Sequence, residues 1–430
     1  MANLSMLRRQ FTHNSFFCNL CQNCCRILPM YEFYSKPSWQ PTGRIPFVTY
    51  LLCLSCGAMF LWQLLGGQGG SSLEYPGYVD GVILFQGSYW GLLSSFFLHA
   101  DFLHVAFNVY WLFRLGTVLE SYIGWSRFFL FWLAGTACSS ALEVYATGTT
   151  GIGASGFVYA VFGLIWIGGK GDEFLARMID QQVIVLFIIW FFLCVALTWT
   201  GTWTVANGAH LGGFFFGAAC AYACFIRNDP WLKRALAPAT ALALLPLFYA
   251  PWLSTWNLAQ GTSYYNRAKY EQALPYLTRV HLPEYAEFTA ETQADALSKL
   301  GRDVEATATY KSLLESTSEL SNPGYIYNEY AWLLATSPDD KARNPGEAIR
   351  YAQMACTGDS YKNSADLDTL AAAYASNDQF NEAVKWQQQA ISVNSDTNDL
   401  GDLQAHLKLY QAHQPYREPV APSSSSMPRN

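Results

Sequence analysis

Ser155 lies in GIGASGFVYAVFG, residues Gly151 to Gly163, a single hydroxyl among glycines at the head of an apolar run; His210 lies in NGAHLGGFFFG at the head of another. A serine hydroxyl is a weak nucleophile until a neighbouring base takes its proton, so a Ser and a His that converge can attack a carbonyl. The charge that then develops on oxygen needs fixed donors. His104 and Asn108, in HADFLHVAFN, are spaced i, i+4 and share one helical face, and the backbone N–H of Ser155 at a helix start adds a further donor. Tyr159, one turn beyond Ser155, can stack on the His210 ring. Gly153 and Gly156 leave backbone room beside Ser155 for a carbonyl. No carboxylate falls at comparable depth on these faces, so the expected chemistry is that of a Ser155–His210 dyad, with no metal and no cofactor.

These residues must be positioned by helices in lipid. The chain has 430 residues, 51% hydrophobic and only 13% charged, against about 25% charged in soluble proteins. Its mean hydropathy of +0.10 is too low for membrane throughout. The apolar excess is concentrated from Ile45 to Trp256, whereas the chain from Asn257 is charged and alanine-rich. Windows of about 20 apolar residues, the length that crosses a bilayer, fall at Pro46 to Leu65, Phe97 to Leu119, Phe128 to Ala146, Ala154 to Gly168, Val183 to Trp199 and Val205 to Ile226. A seventh segment, Ala235 to Leu253, carries Pro238, Pro246 and Pro251. Loop charge alternates: Arg8, Arg9, Arg26, Lys36 and Arg44 precede span one, Arg127 follows span two, Lys170 and Arg177 follow span four, and Arg227, Lys233 and Arg234 follow span six. The intervening loops hold no Lys or Arg, which predicts a cytoplasmic N-terminus. Spans two, four and six are then entered from outside, placing His104 about two turns deep, Ser155 about one turn and His210 about one and a half.

Polar groups inside spans are costly and mark function. Ser155, Tyr159 and Gly163 share a face of span four, while His210, Gly213 and Gly217 share a face of span six. Gly208/Gly212 and Gly213/Gly217 match the small-xxx-small spacing that lets helices approach in lipid, so spans four and six are expected to touch through these faces. His99 is read as a structural hydrogen-bonding residue. Glu143 is read as a snorkelling side chain without a role.

GASGFVYAVFG, HADFLHVAFN and NGAHLGGFFFG resemble, in order and spacing, the signature segments of rhomboid intramembrane serine proteases, over roughly Pro46 to Ile226. The resemblance implies Ser155 as nucleophile, His210 as general base, His104 and Asn108 on the oxyanion side, Tyr159 packed against the base, and Glu120 with Gly124 as the E-x-x-x-G element. It departs at the first external loop, where Trp90 is followed by Gly91 instead of Arg, a loop-structuring position. It implies an endopeptidase that cleaves transmembrane protein substrates near the outer boundary of the bilayer. The alternative is an inactive rhomboid-like scaffold that binds membrane clients; a solute transporter is less favoured, because no inverted pair of broken helices is visible.

Beyond the membrane part, Ala273, Ala306, Ala348 and Ala383 recur at spacings of 33, 42 and 35 residues. This resembles the tetratricopeptide repeat, with an insertion around Ser337 to Pro345, and implies a groove for a peptide or protein partner. Of eleven cysteines, Cys18, Cys21, Cys24 and Cys25 form C-x-x-C-x-x-C-C near His13. Zinc, a disordered tail and a lipidation target are the readings open to it, and no metal is assigned. The net charge of −6 without a basic face argues against nucleic acid. The expected organisation is all-α: a cysteine-rich cytoplasmic segment (1–44), a polytopic membrane bundle (45–227), a seventh transmembrane helix (228–256), a tetratricopeptide-like repeat domain on the extracytoplasmic side (257–414) and a disordered Pro/Ser-rich tail (415–430).

Overall fold

A computed structural model describes residues 45–66, 78–316, 320–395 and 398–419. The cysteine cluster Cys18 to Cys25 and His13 lie outside these residues. The described residues form helices joined by turns and loops, without a strand.

Among the described residues up to Leu244, seven helices have 14 residues or more: α1 (Phe47–Gly66), α2 (Phe102–Ile123), α3 (Trp125–Thr147), α4 (Ser155–Gly168), α5 (Gln181–Trp199), α6 (Asn207–Ala221, prolonged by a π turn to Ile226) and α7 (Pro230–Leu244). Five of them, α1, α2, α3, α5 and α6 with its π turn, are long and apolar enough to cross a bilayer. The fourth expected span differs. Helix α4 has 14 residues, which cover about 21 Å at 1.5 Å per residue, less than the ~30 Å hydrocarbon thickness. Ser155 is its first residue and is half-buried, preceded by the loop 148–154.

Two boundaries also move. Helix α2 starts at Phe102 and not at Phe97, because the Asp101 side chain accepts the His104 N–H (2.8 Å) and so caps its first turn. His104 is thus within the first turn, not two turns deep. The seventh segment begins at Pro230, where Asp229 caps the helix and proline fits its first position, and ends in a 3-10 turn at Leu245–Leu247, ahead of the expected Leu253. It returns along α3, and Tyr145 Oη near the end of α3 donates to the Ala243 carbonyl (2.7 Å).

At that same end of the bundle stand antiparallel helix pairs: α8 (Ser254–Tyr265) with α9 (Tyr270–Leu277), α10 (Ala286–Lys299) with α11 (Asp303–Ser316), α12 (Pro323–Thr336) with α13 (Pro345–Gly358), and α14 (Ser364–Ser376) with α15 (Phe380–Val393), closed by α16 (Leu400–Gln411). Ala273, Ala306, Ala348 and Ala383 occupy the second helix of each pair and are wholly buried. The chain beyond α16 departs from the expected disorder as far as Pro419: Glu418 N–H donates to the Thr336 carbonyl (2.9 Å), Trp332 Nε1 donates to Glu418 (3.0 Å), and Tyr416 packs on His406. Residues 420–430 lie outside the described residues.

Candidate active site

Helix α6 is built to be approached on two sides. Gly213 and Gly217 lie against α4: a Cβ on Gly213 would collide with the Gly156 carbonyl, and one on Gly217 with the Ala160 carbonyl. Gly208 and Gly212 do not share that contact. They lie against Glu143, Leu142 and Cys138 of α3, because residues five apart on a helix point to different neighbours. Close contact of α4 with α6 then sets the distance between the first turns of the two helices. His210 Nε2 stands 2.8 Å from Ser155 Oγ.

His210 is 2% exposed and its Nδ1 has no hydrogen-bond partner among the described residues. With Nδ1 carrying the proton, Nε2 offers its lone pair to the Ser155 hydroxyl. Tyr159 stacks on the ring at 4.5 Å between centroids with a 26° tilt, and its own Oη is anchored on the Phe187 carbonyl of α5 (3.0 Å). Among the described residues, no carboxylate hydrogen-bonds to the imidazole.

On the other side of Ser155, Gly153 takes φ +107°, a conformation that excludes side chains, and a Cβ there would come within 2.5 Å of His104 Nε2 and 3.2 Å of Asn108 Nδ2. Its N–H donates to the Ser95 carbonyl (2.9 Å). His104 Nδ1 accepts the Ala100 N–H (3.3 Å), which assigns the proton to Nε2, the nitrogen beside Gly153. Asn108 is 2% exposed and its Nδ2 has no hydrogen-bond partner among the described residues. Two side-chain donors thus meet beside Ser155, whose own N–H opens α4 and has no acceptor within the helix. His99 works from behind: its ring packs edge-on against His104, and its Nε2 accepts the Ala154 N–H (3.5 Å).

Three supports escape a reading by residue type. Glu143 is not a snorkelling side chain; it accepts the Ala209 N–H (3.0 Å) and caps the helix that carries His210. Ser139 Oγ donates to the Ala209 carbonyl (2.9 Å) and fills the space opposite Gly156. Asp101 sets the first turn of α2 under His104. Of these, only the Asp101 cap has a sequence signal, an Asp just ahead of an apolar run. Glu120 is remote from Ser155 and accepts Val48 N–H, Thr49 N–H and Thr49 Oγ, binding the start of α1 to the end of α2.

Residues 86–227 match a family model described as the rhomboid domain. Curated proteins named rhomboid protease GlpG from Salmonella paratyphi A, Salmonella typhi and Salmonella newport are each 26% identical over 175 residues. These matches take in 41% of this chain and 62% of each relative's length. The chain is therefore similar to rhomboid proteases across its membrane part, which holds every residue of the site.

Proposed function

We propose that this protein is an intramembrane serine endopeptidase of rhomboid type, with Ser155 as nucleophile and His210 as general base. The observation that carries the reading is the 2.8 Å contact between Ser155 Oγ and His210 Nε2 at the half-buried head of a short helix. His210 Nε2 takes the hydroxyl proton as Oγ attacks the scissile carbonyl carbon. The oxygen that gains the electron pair is met by the Ser155 N–H, Asn108 Nδ2 and His104 Nε2–H. Collapse of the adduct breaks the C–N bond, and the imidazolium returns its proton to the leaving amine. Water, activated by the same imidazole, then releases the acyl group from Oγ. With no carboxylate on Nδ1, the transient imidazolium is stabilised instead by the face of Tyr159.

The substrates of this reading are transmembrane segments that unwind near the outer boundary of the bilayer, and the dyad chemistry proposed calls on neither metal nor nucleotide. The N-terminus is cytoplasmic by loop charge. The position of the helix pairs at the Ser155 end of the bundle supports reading them as extracytoplasmic. The pairs are read as tetratricopeptide-like, and their groove, about 780 Å³, is lined by Glu291, Asp295 and Glu329 with Tyr265, Tyr325 and Trp332. Lys299 also lines it, but carboxylates outnumber it, which suits an extended basic peptide. The unpartnered Nδ2 of Asn108 favours an enzyme over an inactive client-binding scaffold, since a scaffold gains nothing from a buried donor without an acceptor.

The test is reconstitution of the full chain in liposomes with a transmembrane substrate carrying a helix-breaking residue near its outer end. Cleavage at a defined bond, read by mass spectrometry and lost in Ser155→Ala, supports the enzyme. Binding of the substrate without cleavage by the wild type supports the scaffold.

A further inference from the structure

We propose that the helix-pair stack positions the active site, by holding the loop of residues 78–97 whose far end holds Gly153. The inference rests on the enzymatic reading above and assigns Tyr285, Thr262 and Trp256 to the positioning of a site in another part of the chain.

The contact has two polar bonds and an apolar seat. Tyr285 Oη, just ahead of α10, donates to Asp80 Oδ2 (2.9 Å), while Asp80 Oδ1 accepts the Val82 N–H and caps the one-turn helix Gly81–Phe85. Gln86 Nε2 donates to Thr262 Oγ1 of α8 (3.2 Å). Val79, Leu84 and Phe85 are buried in one cluster with Trp256 and Ala259 of α8. The loop is thereby fastened to the first helix pair over its whole near half.

The far half leads directly to the site. Val79 packs against Gly91, so closely that a Cβ on Gly91 would collide with the Val79 side chain. The following carbonyl, Leu92 O, accepts Ser140 Oγ of α3 (2.9 Å), and three residues on the Ser95 carbonyl accepts the Gly153 N–H (2.9 Å). Gly153 in turn abuts His104 Nε2 and Asn108 Nδ2. Releasing the loop from α8 and Tyr285 loosens the Ser95 carbonyl, and with it the spacing between Ser155 and its oxyanion donors. Small misplacements at a reacting centre are costly. Other supports of the loop include Ser140 of α3 on the Leu92 carbonyl, Cys56 Sγ of α1 on the Phe96 carbonyl (3.9 Å) and the Phe157 ring of α4 against Phe96, and the stack adds its own anchor at the near half.

The experiment compares wild type with the double variant Tyr285→Phe, Gln86→Ala in the full chain; both changes remove a hydrogen bond and neither empties a core. Hydrogen exchange reports protection of residues 78–97, and a small fluorophosphonate, too small to contact the helix-pair groove, reports the rate of Ser155 labelling. We expect the loop to lose protection and labelling to slow by about fivefold, the fold-change for about one hydrogen bond's worth of support. For a transmembrane substrate, kcat is expected to fall with KM unchanged. Unchanged loop protection would overturn the anchoring, and a loosened loop with wild-type labelling would overturn its transmission to the site. Failure of the enzymatic reading looks different: the wild type itself would not label.

Discussion

Asn108→Leu separates a catalytic donor from a structural one. Asn108 Nδ2 is buried and unpartnered, and a buried donor left unsatisfied costs roughly 1–3 kcal/mol of stability. Leucine keeps the branching and number of side-chain heavy atoms of asparagine, with bulkier methyl ends, so the substitution removes that cost without opening a cavity. If the donor exists to meet the developing oxyanion, its loss costs about 2.7–4 kcal/mol at the transition state, about 10²–10³-fold in kcat. The interaction forms only with the tetrahedral adduct, so KM should stay near the wild-type value. Cleavage of a fluorogenic transmembrane substrate in bicelles measures both constants, and thermal unfolding measures the fold. The expected variant is as stable as wild type or more so, and about a hundredfold slower. A kcat within about threefold of wild type would refute the oxyanion role. Loss of activity in step with a falling Tm would refute the reasoning about the unpaired donor.

Other outcomes follow from the same geometry. Gly213→Ala drives a methyl into the Gly156 carbonyl and should cost about 1–3 kcal/mol, lowering Tm and separating His210 from Ser155, seen as slower fluorophosphonate labelling. Glu143→Ala leaves the Ala209 N–H without its cap and should destabilise by about 1 kcal/mol, whereas Glu143→Gln keeps an acceptor and restores most of the labelling rate. In the helix pairs, burial pushes the Asp366 carboxyl up to about 6, with Asp359 and Glu329 adding to it. Its folded pKa lies above the unfolded value, so its proton stabilises the fold at low pH, and that contribution is lost as pH rises from about 4 to about 6. Asp366→Asn should therefore raise Tm at pH 7 by the equivalent of about 1–3 kcal/mol and flatten the pH profile of unfolding across that window.

The parts of the site that lie along one helix are legible in the amino-acid sequence. Ser155 with Tyr159, His104 with Asn108, and His210 with Gly213 are each one turn apart, and helical spacing is a local property. Which face of α6 meets which neighbour is not local. Gly208/Gly212 and Gly213/Gly217 carry the same spacing, yet the first pair serves α3 and the second α4, because the rotation of α6 is set by packing on both. Glu143 illustrates the same limit: a carboxylate in an apolar run reads as a stray charge until α6 starts opposite it and presents the Ala209 N–H. The depth of His104 was within reach of the sequence, since Asp101 is a helix-capping residue in the right place. The contact between the loop of residues 78–97 and α8 had no such signal, because Asp80 and Tyr285 meet across 205 positions.

The most direct test of the central claim is labelling of the detergent-solubilised full chain with a fluorophosphonate, read by intact-protein mass spectrometry. The account predicts one adduct, mapped to Ser155, that disappears in Ser155→Ala and is strongly slowed in His210→Ala while both variants remain folded. A folded wild type that takes no label, or a Ser155→Ala variant that still does, would contradict it.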